Sequence, residues 1–178
     1  MALISLQNSA TASRFGFSYN GTTSPKRAVQ FLAANSAGTT GLQGINVSPV
    51  SAGNWYHAAG VFTNSLSPQA FVNGIVGSTT GGGSITPTGI DQILIGAART
   101  TSLTGYYNGS IAEVGIWNAA LTAAEIASLA KGMTCDKVRP QSLVFYAPLV
   151  RDLIDQKGGF AITNNNSATV ANHPRIYP

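Results

Sequence analysis

Between Asn54 and Gly132 the chain sets in series a tryptophan-led apolar stretch, an Asn-Gly turn, a second apolar stretch and a sharply capped helix. Trp55 to Thr63 alternates with a period of two, so Trp55, His57, Ala59 and Val61 share one face while Tyr56, Ala58, Gly60 and Phe62 share the other. Both faces are apolar enough for a central strand. Gln69 to Val72 leads into Asn73-Gly74 and out through Ile75 and Val76, and that dipeptide suits the positive φ angles of a type I′ hairpin turn. Ile93 to Ile95 and Gly109 to Trp117 read as further strands. One helix over 122–131 is predicted, with signals at both ends. Thr122 caps it, Glu125 completes a capping box, Leu121 staples onto Ile126 and Gly132 supplies a left-handed stop. Ile126, Leu129 and Ala130 form its buried stripe.

Leu3 to Gln7, Arg14 to Tyr19, Ala28 to Ala33 and Leu42 to Val47 read as upstream strands, each bounded by Gly, Asn, Pro or Ser. Strands in succession, with one late helix, favour an antiparallel two-sheet sandwich over a parallel α/β sheet. Gly81-Gly82-Gly83-Ser84 is a loop, because no Lys-Ser or Lys-Thr follows to make a phosphate cradle. Beyond Pro140, Ser142 to Leu149 and Phe160 to Thr163 read as strands. A length of 178 residues suits one domain over 1–178, with 140–178 as a strand-bearing C-terminal extension.

Hydrophobic residues make up 44% of the chain but charged ones only 9%, against about 25% in an ordinary soluble domain, so the surface is neutral and hydrogen-bonding. The net charge of +4 comes from ten basic residues scattered along the sequence without a stripe, which argues against nucleic acid as a partner. Cys135 is the single cysteine, so neither an internal disulfide nor a multi-cysteine metal site is available. The opening Met1-Ala-Leu-Ile-Ser-Leu lacks the basic start of a signal peptide and reads as a strand. No apolar run reaches the ~20 residues of a membrane-spanning helix, so no membrane insertion is expected.

Trp55-Tyr-His-Ala-Ala-Gly-Val61, Phe71-Val-Asn-Gly74, Ile93-Leu-Ile-Gly96, Tyr107-Asn-Gly-Ser-Ile-Ala-Glu-Val-Gly-Ile-Trp-Asn118 and Leu121-Thr-Ala-Ala-Glu-Ile126 form an ordered series. The series resembles the laminin G-like modules of the concanavalin A-like lectin and glucanase superfamily, and with the tail sequence His173-Pro-Arg-Ile176 it looks like members encoded by phages and environmental bacteria. The resemblance implies an all-β, two-sheet antiparallel jelly roll. Such modules open with a strand like Leu-Val-x-Tyr-x-Pro-Leu, and here Leu143-Val-Phe-Tyr-Ala-Pro-Leu149 looks like that strand moved to the end. The C-terminal segment is therefore expected to fill a sheet edge, in its own sandwich or in a neighbour's. Homo-oligomers are the natural consequence, since an unfilled edge invites pairing.

The family often carries an acid where this chain has Ala112, and a hard cation wants six to eight oxygen ligands. Only loop carbonyls and Asp91 are on offer for calcium, so no cofactor and no metal site is assigned. Glucanases of the superfamily use paired carboxylates, because glycoside hydrolysis needs two acids roughly 5 to 10 Å apart. No Glu-x-Asp-x-Glu pattern occurs, His57 and His173 have no nucleophile beside them, and Asp152 and Asp155 lie in a turn. No enzyme is expected. Lectin-type sites pair an aromatic face with amide and hydroxyl donors. Arg99, across a Thr- and Ser-rich loop from Tyr106, Tyr107 and Asn108, is the best such group, while Trp55 and Trp117 read as core. The resulting expectation is a non-enzymatic protein of a virion exterior or an extracellular surface, a capsid decoration or fibre protein. Its partners would be its own copies, a capsid or other virion protein, or a surface glycan, with a free carbohydrate-binding lectin module as the competing reading.

Overall fold

A computed structural model describes residues 1–20, 28–48, 50–64, 67–99, 102–165 and 167–174. Lys26, Arg27, Thr100, Thr101 and Arg175 to Pro178 lie outside the described residues. By internal contacts the chain forms two units, Met1–Asn108 and Gly109–Pro178.

The first unit is antiparallel β throughout. β1 (Ala2–Gln7), β2 (Arg14–Asn20), β3 (Ala28–Ala34) and β4 (Thr40–Asn46) pair in succession. β5 (Ala58–Phe62), β6 (Pro68–Val72) and β7 (Ile75–Val76) make a three-stranded sheet. β8 (Ser78–Gly81) and β9 (Gln92–Ile95) then return to opposite edges of the first sheet, which runs β8-β4-β3-β2-β1-β9. β10 (Ala98–Arg99) and β11 (Leu103–Thr104) form a short hairpin.

The two sheets meet through aromatic rings. Phe62 on β5 packs edge-on against Phe15 and Phe31, at centroid distances of 5.1 and 6.0 Å, and Phe17, Val29 and Val72 form the buried centre. At Gly44 the sheets come closer than side chains allow, because a Cβ there would lie 2.6 Å from Ala70 N and 2.7 Å from Gln69 C. The hairpin turn has the predicted geometry, with Asn73 at φ 49° and Gly74 at φ 81°. Asn73 also ties the turn to the chain entering β5, accepting from the His57 amide at 3.0 Å and donating its own amide to the His57 carbonyl at 2.8 Å.

Several strand expectations change. β5 begins at Ala58 and lies at the end of its sheet, so β6 is the central strand of the three. The core face is the one carrying Tyr56, Ala58, Gly60 and Phe62. Trp55 is left off that face and is 42% exposed, a correction to its reading as core. β8, β10 and β11 were not foreseen, since a Ser-Thr-Thr-Gly edge strand and a two-residue hairpin carry almost no apolar alternation.

Burial pushes the His57 imidazole down to about 4 from its usual 6.5. A folded-state value below the unfolded one means that stability is fully present above pH 6.5 and is lost as pH falls toward 4. Acidification from pH 7 to 5 is expected to cost the first unit about 2 kcal/mol from this group. Urea melts across that range measure it, and His57→Leu flattens the slope.

The second unit holds β12 (Val114–Trp117), α1 (Ala123–Ala130) and β13 (Leu143–Ala147). β13 pairs antiparallel with β12 of its own chain, Val114 opposite Ala147 and Ile116 opposite Phe145. The strand expected over Gly109 to Trp117 is shorter than its sequence, because Glu113 sits in the left-handed region at φ 54° and breaks the extended run before Val114. The capping box forms as predicted. The Thr122 hydroxyl accepts from the Glu125 amide at 3.3 Å, and the Glu125 carboxylate accepts from the Thr122 amide at 2.7 Å. Glu125 also takes Nε and Nη2 of Arg139 in a two-pronged pair at 2.8 and 2.7 Å. Leu129, Cys135, Val138, Leu143 and Tyr146 form the core of the unit, with Trp117 and Leu121 against it and Trp117 Nε1 donating to the Val138 carbonyl at 2.8 Å. Phe160 to Thr163 is not a strand. The Phe160 amide is spent on Asp155, and only Ala161 bridges, to Ile154.

Candidate functional site

Arg99 and the Tyr106–Asn108 stretch belong to one short hairpin beside β1, with Arg99 opposite Leu103 and Ala98 opposite Thr104. The Arg99 amide donates to Gln7 Oε1 at 2.9 Å, whereas Gly105 O accepts from the Ala2 amide at 2.6 Å and the Tyr107 amide donates to Gly96 O at 2.8 Å. Tyr106 is 51% exposed, Asn108 is exposed and Tyr107 is half-buried. Among the described residues no hydrogen bond or ring contact joins these four side chains to one another.

The register of the six-stranded sheet gathers residues the sequence reading did not single out. Gln92, Gln7 and Arg14 stand opposite one another across β9, β1 and β2, Ser18 faces Gln30, and Leu32 faces Gln43. The face opposite the aromatic core thus mixes these amides and hydroxyls with Leu32, Ile45 and Leu94. Gln7 is buried and accepts at Oε1 from Ser5 Oγ and from the Arg99 amide, which fixes the orientation of its amide. Alternation of Gln with apolar residues in Gln30-Phe31-Leu32 was the available signal. Each glutamine alone is unremarkable.

In the second unit three residues far apart in sequence converge. Tyr146 donates its phenol to Glu113 Oε2 at 2.7 Å, and His173 Nε2 lies 3.4 Å from Glu113 Oε1. Burial raises the Glu113 carboxyl above its ordinary value, against the Tyr146 hydrogen bond and the His173 charge, which lower it. The Tyr146 phenol is raised in turn, by burial first and then by its carboxylate partner. This places a carboxyl, a phenol and an imidazole together, with the Cys135 thiol beside the Glu113 backbone. Cys135 Sγ is 3.7 Å from the Glu113 carbonyl, and burial with the nearby carboxylates pushes the thiol up to about 12. The native protein is therefore expected to resist thiol reagents at pH 8 and to react by at least about a hundredfold faster once unfolded, as a disulfide-exchange dye assay would show.

Asp91 does not offer a calcium site. Its two oxygens already hold the Ser9 amide at 2.8 Å and the Ser9 hydroxyl at 2.6 Å, which together keep the carboxyl low. Among the described residues no three His, Cys, Asp or Glu side chains gather to hold a metal ion. With Ala112 in place of an acid, the described residues gather too few carboxylates to assign a calcium site.

A family profile described as the concanavalin A-like lectin/glucanases superfamily, Laminin_G_3, matches residues 1–127. The chain belongs to this superfamily. Among the described residues its antiparallel sheets and single α-helix are consistent with the concanavalin A-like sandwich. The crystal structure of residues 221–444 of an S-layer domain-containing protein from Clostridium thermocellum ATCC 27405 is similar at 19% identity with a TM-score of 0.41. The match covers 73% of this chain and 62% of that chain, less than two thirds of its length. No curated protein matches the chain. Among the described residues no helix is long and apolar enough to cross a membrane.

Proposed function

We propose that this laminin G-like chain is a non-enzymatic structural and binding module of an exterior surface, serving as a virion decoration or fibre component that self-associates and contacts glycans. The observation that carries this reading is how the acids are used. Five of the six acidic side chains hold hydrogen bonds or ion pairs: Asp91 with Ser9, Glu113 with Tyr146, Glu125 with Thr122 and Arg139, Asp136 with Lys137, and Asp155 with four backbone amides. A glycosidase needs two carboxylates free to face one bond. Exposed apolar side chains at Val144, Ile154 and Phe160 support self-association, and a capsid or other virion protein is the partner that this reading takes beside its own copies.

Fractionation of particles from a lysate tests the virion role: the protein is expected in the particle fraction, and recovery only as free protein contradicts it. A free carbohydrate-binding lectin is the second reading, favoured by exposed Tyr106 beside Tyr107 and Asn108. A glycan array separates the two, since competable sugar binding without particle association selects the lectin.

A further inference from the structure

The second unit carries a cleft of about 330 Å³ that the superfamily does not assign, because its lining lies beyond the matched residues 1–127. Its floor is made by the buried residues Thr134, Leu143 and Tyr146, and its rim by the exposed Asp136, Lys137, Gln156 and Lys157. The volume is at the small end of ligand sites, room for about one sugar ring.

The groups lining it are complementary to one kind of ligand. Leu143 and the body of Tyr146 give an apolar surface, and the Tyr146 phenol is already committed to Glu113. Of the two lysines lining the cleft, Lys137 is paired with Asp136 at 3.3 Å, and Lys157 has no ion pair among the described residues. Thr134 Oγ1 is buried without a hydrogen bond of good geometry, although it lies near enough to the Asp136 carboxyl to be the first cause of its lowering. Gln156 adds an amide with both donor and acceptor. An apolar floor suits the C–H face of a pyranose, hydroxyl and amide groups suit its edge, and one unneutralised ammonium suits a carboxylate. A bare inorganic anion would leave the floor unused.

We propose that this cleft binds a single uronic acid unit, with Lys157 taking the carboxylate and Thr134, Asp136 and Gln156 the ring hydroxyls. The proposal deepens the glycan contact put forward above and rests on it. Heteronuclear NMR of the full chain titrated with D-glucuronate tests it, with D-glucose and inorganic phosphate as comparison probes. Glucuronate is expected to saturate shifts of amides in 134–137, 143–146 and 156–157 in the millimolar range, with glucose and phosphate at least tenfold weaker. Lys157→Met, at an exposed position that leaves the melt unchanged, is expected to weaken glucuronate at least tenfold. Unmoved amides, an unaffected Lys157→Met, or phosphate matching glucuronate would each overturn the site. Array binding that survives Lys157→Met would remove this cleft while leaving the proposed glycan contact intact.

Discussion

Gly44→Val is expected to abolish cooperative folding of the first unit. Gly44 sits on β4 opposite Phe31 and Thr79, on the face turned toward the three-stranded sheet. A Cβ would lie 2.6 to 2.8 Å from Ala70 N, Gln69 C and Gln69 Cα, all of them main-chain atoms of β6. Overpacked cores usually relax by turning side chains, at about 1 to 3 kcal/mol. Here the obstacle is a backbone hydrogen-bonded into its own sheet, so relief requires moving the whole sheet. The cost is expected above about 4 kcal/mol, a large share of the roughly 5 to 15 kcal/mol that holds a typical domain folded. Gly44→Ala should be intermediate. Gly83→Ala is the control, since nothing lies within 4 Å of a Cβ there, and it should change the urea midpoint negligibly. A Gly44→Val protein that melts like the wild type contradicts the close approach of β4 and β6.

The second large effect is expected at Asp155. Its side chain is 3% exposed, and its two oxygens collect four main-chain donors: Tyr146 and Lys157 at 2.9 and 3.0 Å, Gly158 and Phe160 at 3.0 and 3.2 Å. The Gln156 amide adds a 2.7 Å bond to the Tyr146 carbonyl, so the loop is fastened along the edge of β13 that β12 does not use. Burial alone would raise this carboxyl, but the four amides outweigh it and hold the value below the ordinary 3.8. Its contribution is therefore present above pH 4 and is lost as pH falls below that. Asp155→Ala leaves four amides without their acceptor and is expected to cost the second unit about 4 kcal/mol, with Asp155→Asn costing roughly half. Hydrogen exchange at the amides of Tyr146, Lys157, Gly158 and Phe160 reads the effect directly. Unchanged protection in Asp155→Ala would show that the loop is held by something else.

The features legible in the sequence were those whose cause is local. Asn73-Gly74 dictates its turn through φ, and Thr122 with Glu125 closes its box within one turn of helix, so neither needs distant residues. Leu143 to Ala147 was recognised as a strand and takes β12 as its partner within the same chain. Where distant partners decide, the sequence was mute. Trp55 and Tyr56 alternate equally well, and the sheet opposite selects Tyr56 for the core. Glu113 looks like an ordinary strand residue, yet Tyr146 and His173 converge on it and its left-handed backbone ends the strand. Asp155 was read as a turn residue, which it is. That one carboxylate would gather four amides along a strand edge depends on where β13 lies. The candidate group at Arg99, Tyr106, Tyr107 and Asn108 is close in sequence and lies on one short hairpin, and what it contacts depends on partners the sequence does not name.

The C-terminal strand β13 pairs with β12 of its own chain. Hydrogen exchange of the β12 amides in the full chain, compared between dilute monomer and concentrated protein, tests it most directly. The predicted result is equal, strong protection of Val114 to Trp117 at both concentrations. Protection that disappears on dilution would mean that β13 is supplied by a neighbouring copy, and would contradict the account.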